Sequence, residues 1–346
     1  MRYTVKQNTL FIRGNFRAAS TGVGGGIGEV KTVFNHTVPI DFNHDNPQSY
    51  LNSVAKDAGF GDDFYGLLTA VPMKDLCIFT YGYITVFVTA GTGNPNPKVP
   101  VMPAKLRPQT QKPAVSETKF NRKSEAETGA ESSYSPHTIN IIIHSRETLK
   151  DSALLEMIIT ATEAKADALS SLGRDYFGTT TDEVVVICDR ADDAADDAAG
   201  AGVARVHEYA GTLTDCGSKV YLCVKNGVIE ALKRHEGIVP VKEPSFFVVS
   251  TMGGLNIMQW KPYCDFYPCH FKGQSCKLCY CPFYPCGDEE LGDWIKASDG
   301  TPVWSCRRCL LNHYKEVAHF ISDDIDATVS DAKAFAKAHN LRLTEK

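Results

Sequence analysis

Thr138-Ile139-Asn140-Ile141-Ile142-Ile143 begins the stretch that decides the fold. A short run rich in isoleucine reads as a buried strand, because β-branched side chains pack well on a pleated surface. A long helix follows over about residues 148–172 and is stopped by Gly173. Val184-Val185-Val186-Ile187-Cys188 is the next strand. At 100° per residue, Leu154, Ile158, Ala161, Lys165, Leu169 and Leu172 form one stripe of the helix. Glu156, Thr160, Glu163 and Asp167 fall on the opposite side.

Upstream, Leu10-Phe11-Ile12 and Val33-Phe34 are strand-like, and Asn46-Pro47 opens a helix that Gly59 closes. Residues 76–81 and 84–89 flank Gly82 as neighbouring strands. Seven of the 17 prolines fall within residues 92–136, followed by a Lys/Glu/Ser-rich stretch without periodicity. Such a segment buries too little apolar surface to offset its ordering entropy, so a mostly disordered insertion is expected. Downstream, the Asp/Ala stretch 192–199 reads as solvated surface. Residues 215–235 form a second helix, with Val220, Val224, Val228 and Leu232 on one face. Pro240 and Pro244 mark a boundary, and the Ala-rich stretch 330–339 is a helical C-terminal cap. Because strands and helices alternate irregularly, the expected class is α+β: a mixed sheet with flanking helices, plus a small metal-stapled cysteine-rich domain. The divisions are 1–240, 250–325 and a helical tail, 326–346.

The 346 residues, 43% of them hydrophobic, suit about two domains with a sizeable core. A net charge of -5 lacks the clustered Lys and Arg of a nucleic-acid binder. No apolar run approaches the roughly 18 residues that span a bilayer. The first residues, Met1 to Gln7, lack the apolar core of a signal peptide. A soluble cytoplasmic protein with neither nucleic-acid nor membrane partners is expected.

Cys77, Cys188, Cys216 and Cys223 are scattered, whereas the other eight of the twelve cysteines cluster. Their spacing is Cys264-x4-Cys269-His270, Cys276-x2-Cys279-x-Cys281-x4-Cys286 and Cys306-x2-Cys309-x3-His313. A reducing cytosol favours metal ligands over disulfides or unligated thiols. Eight thiolates suffice for two closed tetrahedral sites, with His270 and His313 as alternative ligands. The expectation is two structural zinc ions; an iron–sulfur cluster also takes four thiolates, but no standard ferredoxin spacing occurs.

Three polar stretches are candidates for chemistry. Residues 19–28 contain Ser20, Gly24, Gly25 and Gly26, whose amides suit an anion or oxyanion. They match neither a Rossmann fingerprint nor a P-loop, and a flexible turn is the ordinary alternative. Lys165 sits in an apolar stripe, so it either snorkels outward or is held in a site; for Glu163 the wheel alone favours solvated helix surface over a site. Gly178-Thr179-Thr180-Thr181-Asp182 places three hydroxyls and a carboxylate before a strand, where a capped turn is also common.

Taken in order, these stretches resemble the adenosylcobinamide amidohydrolase family of corrinoid salvage. The resemblance is carried by residues 138–142, 159–165 and 178–182, with Gly24-Gly25-Gly26, Thr89-Ala90-Gly91 and Ala210-Gly211-Thr212 around them. It spans about residues 10–237, and Thr160-Ala161-Thr162-Glu163-Ala164-Lys165 is its most specific part. The 92–136 insertion is longer than the family's usual connection, and a Gly/Thr-alternating run is reduced to three threonines. The tail, with Phe266-Tyr267-Pro268-Cys269-His270-Phe271 and Cys281-Pro282-Phe283-Tyr284-Pro285-Cys286, resembles a cysteine-rich small domain joined to archaeal members of that family.

The resemblance implies hydrolysis of the amide joining aminopropanol to the corrin ring, giving adenosylcobyric acid, with no organic cofactor beyond the corrinoid substrate. For that reaction Glu163 is the expected general base and Lys165 the carbonyl-polarising group or proton donor. Asn140 and the Gly24–Gly26 amides would serve the oxyanion, and Asp182 completes the catalytic set. Ser20, Thr160, Thr162, Thr179, Thr180 and Thr181 are expected to contact substrate, and an acyl-enzyme on Ser20 or Thr181 is the rival route. Glu163 and Lys165 cannot both face one cleft on a regular helix, and the wheel then favours Lys165. A corrinoid-binding carrier or sensor without catalysis is the main alternative. Another makes the zinc module a docking surface for other corrinoid-salvage proteins.

Overall fold

Alternation along the first strands already fixes two faces. β1 (Arg2–Lys6) and β2 (Thr9–Ser20) form a hairpin across Gln7 and Asn8, whose φ values of 49° and 57° suit a two-residue turn. β3 (Gly26–Thr37) returns antiparallel to β2, and β4 (Phe64–Thr69) runs parallel to β3. Between them lies α1 (Pro47–Asp57), where the Asn46 side chain accepts a bond from Ser49 N at 3.0 Å. β5 (Cys77–Tyr81) and β6 (Ile84–Ala90) pair around Gly82. The protein is a computed structural model that describes residues 1–97, 137–190, 205–251, 254–259, 267–276, 278, 281–296, 300, 302–324 and 326–345.

β7 (Pro95–Pro97) precedes β8 (Ile139–Ser145) in the described residues, followed by β9 (Thr148–Leu149), α2 (Asp151–Ser171), β10 (Tyr176–Thr179) and β11 (Glu183–Asp189). Then come β12 (Val206–His207), α3 (Asp215–His235), β13 (Ser245–Ser250), β14 (Asn256–Gln259), β15 (Asp293–Lys296), β16 (Pro302–Ser305), α4 (Lys315–Asp323) and α5 (Val329–Ala338). The main sheet has the order β14-β13-β5-β6-β8-β11-β2-β3-β4, with β1 added to β2. β8 and β11 are parallel neighbours joined through α2, and antiparallel β6 and β2 flank them. The sheet is mixed and helix-flanked, and the fold is α+β, as its sequence implies.

Both faces of β8 are covered, which explains its unbroken apolar run. Ile141 and Ile143 join Leu154, Met157, Ala161, Val220, Val224 and Val228 beneath α2 and α3. Ile142 belongs to the other face, with Val185, Ile187, Phe87, Leu10, Val33 and Leu67. That second core joins β2–β4 to β5, β6, β8 and β11, and Tyr3 of β1 meets Phe87 edge-on at 5.1 Å.

Three differences from the sequence expectations have local causes. α2 begins at Asp151 because Thr148 and Leu149 pair with Val206 and His207. The main sheet continues beyond Pro240 and Pro244, since Ser245, Phe247 and Val249 point inward and β13 pairs parallel with β5. Pro95 and Pro97 pair with Thr179 and Tyr176. The expected disordered insertion otherwise falls on residues 98–136, and the Asp/Ala stretch on 192–199; both lie outside the described residues. A separate core contains Leu291, Cys309, Leu311, Val317, Ile321, Ala332, Ala336 and Leu343, so α5 packs as a cap on the cysteine-rich segment.

Candidate functional site

Lys165 does not snorkel. Its Nζ meets Asp182 Oδ2 at 2.5 Å, and each side chain is 8% exposed. Asp182 also accepts bonds from Ile139 N at 2.9 Å, Thr179 N at 3.0 Å and Thr179 Oγ1 at 2.6 Å. Four donors therefore pin the 178–182 turn to the start of β8. A side chain at Gly178 would place Cβ 2.1 Å from Asp182 Oδ2 and 2.8 Å from Lys165 Nζ, so only glycine fits.

Glu163 projects from a different side of α2 and is exposed. With Thr212, Ser218, Tyr221 and Leu222 it lines a groove of about 530 Å³ beside the first turns of α3. The regular helix thus separates Glu163 from Lys165, as the wheel requires. The wheel's polar side is not wholly solvated, however. Thr160 is buried and donates to Ala210 O at 2.8 Å, while Ala210 N donates to Glu156 Oε2 at 2.6 Å. These bonds hold the Ala210-Gly211-Thr212 loop against α2. Thr162 is exposed and bonds back to Ile158 O at 2.8 Å.

On the sheet face away from α2 and α3, strand register builds a polar row. Thr89 of β6 lies opposite Asn140 of β8, and Asn140 lies opposite Glu183 of β11. Residues 183, 185 and 187 share a face, and Val185 and Ile187 belong to the second core. Asn140 Nδ2 donates to Asn35 Oδ1 at 3.0 Å and Leu68 O at 2.9 Å. Its Oδ1 accepts from Thr138 Oγ1 at 3.2 Å, and Asn35 Nδ2 donates to Thr89 Oγ1 at 2.8 Å. Both amide hydrogens of Asn140 are committed, so it fixes the row rather than offering a free donor to an oxyanion.

Glu183 ends this row beneath the β2–β3 turn. It is half-buried, and the backbone amides of Val23 and Leu68 donate to its carboxylate. Burial pushes its carboxyl up from 4.5 to about 7; the two amides pull it down, and the Asp182 charge adds a smaller upward push. The turn is tight rather than open. Gly25 N donates to Gly22 O at 2.9 Å, and a Cβ on Gly25 would meet Ser20 O at 2.3 Å. The Gly25 amide is thus spent inside the turn, while Gly24 and Gly26 are exposed. Ser20 Oγ accepts from Gly22 N at 3.1 Å. Thr180 accepts from Asn94 Nδ2, whereas Thr181 Oγ1 is buried without a hydrogen-bond partner.

Near the β6 end of the row, His235 Nδ1 lies 3.3 Å from buried Asp75 Oδ2, and the His137 and His235 rings are 5.4 Å apart beside Gly91. Sequence reasoning overlooked these three residues, Asn35 and Glu183. Glu183 left a signal: a carboxylate two residues before Val185, in phase with Ile187, directly ahead of the apolar run Val184–Cys188.

In the cysteine-rich segment, Cys281, Cys286, Cys306 and Cys309 line one cavity of about 40 Å³. Burial, reinforced by the three neighbouring sulfurs, pushes the Cys281 thiol up to about 12. Cys269 and Cys276 form a second group, receiving Gln274 Nε2 at 3.1 and 3.6 Å. The His270 and His313 rings pack at a tilt with centroids 4.3 Å apart, and their Nδ1 atoms face Glu345 Oε1 and Ser275 O. Cys264 and Cys279 lie outside the described residues. Among the described residues, no three His, Cys, Asp or Glu side chains are drawn closely enough together to hold an ion. Nor, among them, is any helix long and apolar enough to cross a membrane.

Residues 2–240 match the adenosylcobinamide amidohydrolase family, and residues 256–336 match a cysteine-rich small domain. The adenosylcobinamide amidohydrolase of Methanosarcina mazei is 34% identical, over 67% of this chain and 98% of that protein. Its Halobacterium salinarum counterpart is 29% identical, over 65% of this chain and 83% of that protein. A probable cobalt-factor III C(17)-methyltransferase of Methanothermobacter thermautotrophicus is 41% identical over 68 residues, 19% of this chain and 18% of that protein. No solved structure matches. With more than half its length matched by one family and a relative above 30% identity covering two thirds of it, the chain belongs to the adenosylcobinamide amidohydrolase family.

Proposed function

We propose that this chain hydrolyses the amide that joins aminopropanol to the corrin ring of adenosylcobinamide, releasing adenosylcobyric acid and aminopropanol. The carrying observation is the family match over residues 2–240, backed by 34% identity across nearly all of the Methanosarcina mazei protein. The scissile amide enters where the Thr89–Asn140–Glu183 row meets the Ser20–Gly26 turn. Here Lys165 and Asp182 are positioning residues: their mutual bond and Asp182's three further donors hold the start of β8 and the turn before β11. Asn140 keeps the row rigid, and the exposed Gly24 amide is left for the carbonyl oxygen. A second reading keeps Glu163 as base, favoured by the groove it lines with Thr212 and Tyr221.

The cysteine-rich domain serves as a structural staple. Cys281, Cys286, Cys306 and Cys309 have the donor chemistry for one zinc ion, which would supply folding energy rather than catalysis. Cys264, Cys269, Cys276 and Cys279 are the second set. A reducing cytoplasm, which keeps these thiols available as ligands, is the matching location.

Incubating the purified chain with adenosylcobinamide and following mass tests the function. Loss of aminopropanol from the corrinoid is the expected result. Corrinoid that is bound but unchanged in mass would make the chain a carrier or sensor instead.

A further inference from the structure

Resting on the hydrolase reading, we propose that Glu183 is the catalytic acid–base of the reaction. Its carboxylate takes one proton from a water molecule as the water oxygen bonds to the amide carbon. The tetrahedral intermediate then collapses: the C–N bond breaks, its electron pair goes to nitrogen, and the Glu183 proton follows it. One water is consumed; the carboxylic acid and the amine leave, and Glu183 returns to its starting state.

The assignment stands first on placement. β11 delivers Glu183 to the end of the Thr89–Asn140 row, and Asn140 is locked by three hydrogen bonds. The amides of Val23, in the β2–β3 turn, and of Leu68, in β4, favour its carboxylate, and the turn lies directly over it, with a Cβ on Gly22 meeting Glu183 Oε1 at 3.3 Å. Glu183 is only partly buried, which leaves it within reach of a substrate arm and a water. The neighbouring carboxylate is spent, because Asp182 is saturated by Lys165, Thr179 and Ile139. Glu163 faces a different side of α2.

Burial supports the same role. A carboxyl titrating at about 7 can both accept and release a proton near neutral pH, as a single acid–base must. The charge acting on it is Asp182, next in the chain, whose own partner is Lys165 of α2; Asn140, Val23 and Leu68 are uncharged.

The test uses the full chain and adenosylcobinamide. Glu183→Gln should lower kcat by about 10²- to 10⁴-fold while leaving corrinoid affinity, read by equilibrium dialysis, within about threefold. Glu183→Asp should recover part of the rate, with the acid limb of its kcat/KM profile displaced from the wild-type position near pH 7. If the Gln variant does not fold, the Asp profile decides. An unmoved limb, or a Gln variant within about tenfold of wild type, overturns the assignment while the hydrolase reading stands. A wild-type chain that releases no aminopropanol overturns both.

Discussion

Lys165 of α2 and Asp182, which precedes β11, form a buried ion pair at 2.5 Å, sealed among Gly178, Thr179 and the first amide of β8. The pair ties α2 to the strand that begins with Glu183. Removing one partner of such a pair strands the other charge in the interior. Lys165→Met should therefore cost about 3–5 kcal/mol in urea unfolding. Adding Asp182→Asn should restore part of that loss, because no charge is then left unpaired. A Lys165→Met chain as stable as wild type would mean that the pair is solvated in solution.

Glu183 makes stability depend on pH. Its folded value of about 7 exceeds the usual 4.5, so between these limits the folded chain binds more protons than the unfolded one. This group's contribution to stability is accordingly full at and below about pH 4.5, falls as pH rises towards 7, and is flat above. Glu183→Gln should remove that component of the slope. Urea midpoints across this window check it, and an identical slope in both chains would contradict it.

Thr160 tests whether the Ala210-Gly211-Thr212 loop is held by α2. Its hydroxyl donates to Ala210 O at 2.8 Å in a buried setting. Thr160→Val keeps the shape but leaves that carbonyl short of a donor, at a cost of about 1–3 kcal/mol. Amide hydrogen exchange should quicken at residues 210–214 first. Unchanged exchange there would show that the loop is held by other contacts.

The cysteine-rich domain should contain about two zinc ions per chain when purified without chelator. Cys306→Ser should lower that content by about one and melt the Leu291–Val317–Ala336 core at lower temperature, because a structural site's binding energy is folding energy. A zinc-free chain with an unaltered melt would remove the staple from the account.

Much of this architecture is legible in the residues themselves. The Ile139–Ile143 run and Val184–Cys188 read as buried strands because both faces of each are covered, and Lys165 stands out because a cation interrupts an apolar stripe. What could not be read is tertiary. Thr160 and Glu156 look solvated on a wheel, yet a loop fifty residues away covers them. Ser245–Ser250 follows two prolines and becomes a sheet strand through pairing with β5. Glu183 acquires its raised carboxyl from burial under the β2–β3 turn, which only the folded sheet creates.

The most direct measurement is a crystal structure of the Glu183→Gln chain with intact adenosylcobinamide. The account predicts that the scissile carbonyl carbon lies at the sheet mouth, within about 3.5 Å of a water held by the residue 183 side chain and close to the Gly24 amide. A scissile amide seated instead in the groove between Glu163, Thr212 and Tyr221 would contradict it and make Glu163 the base.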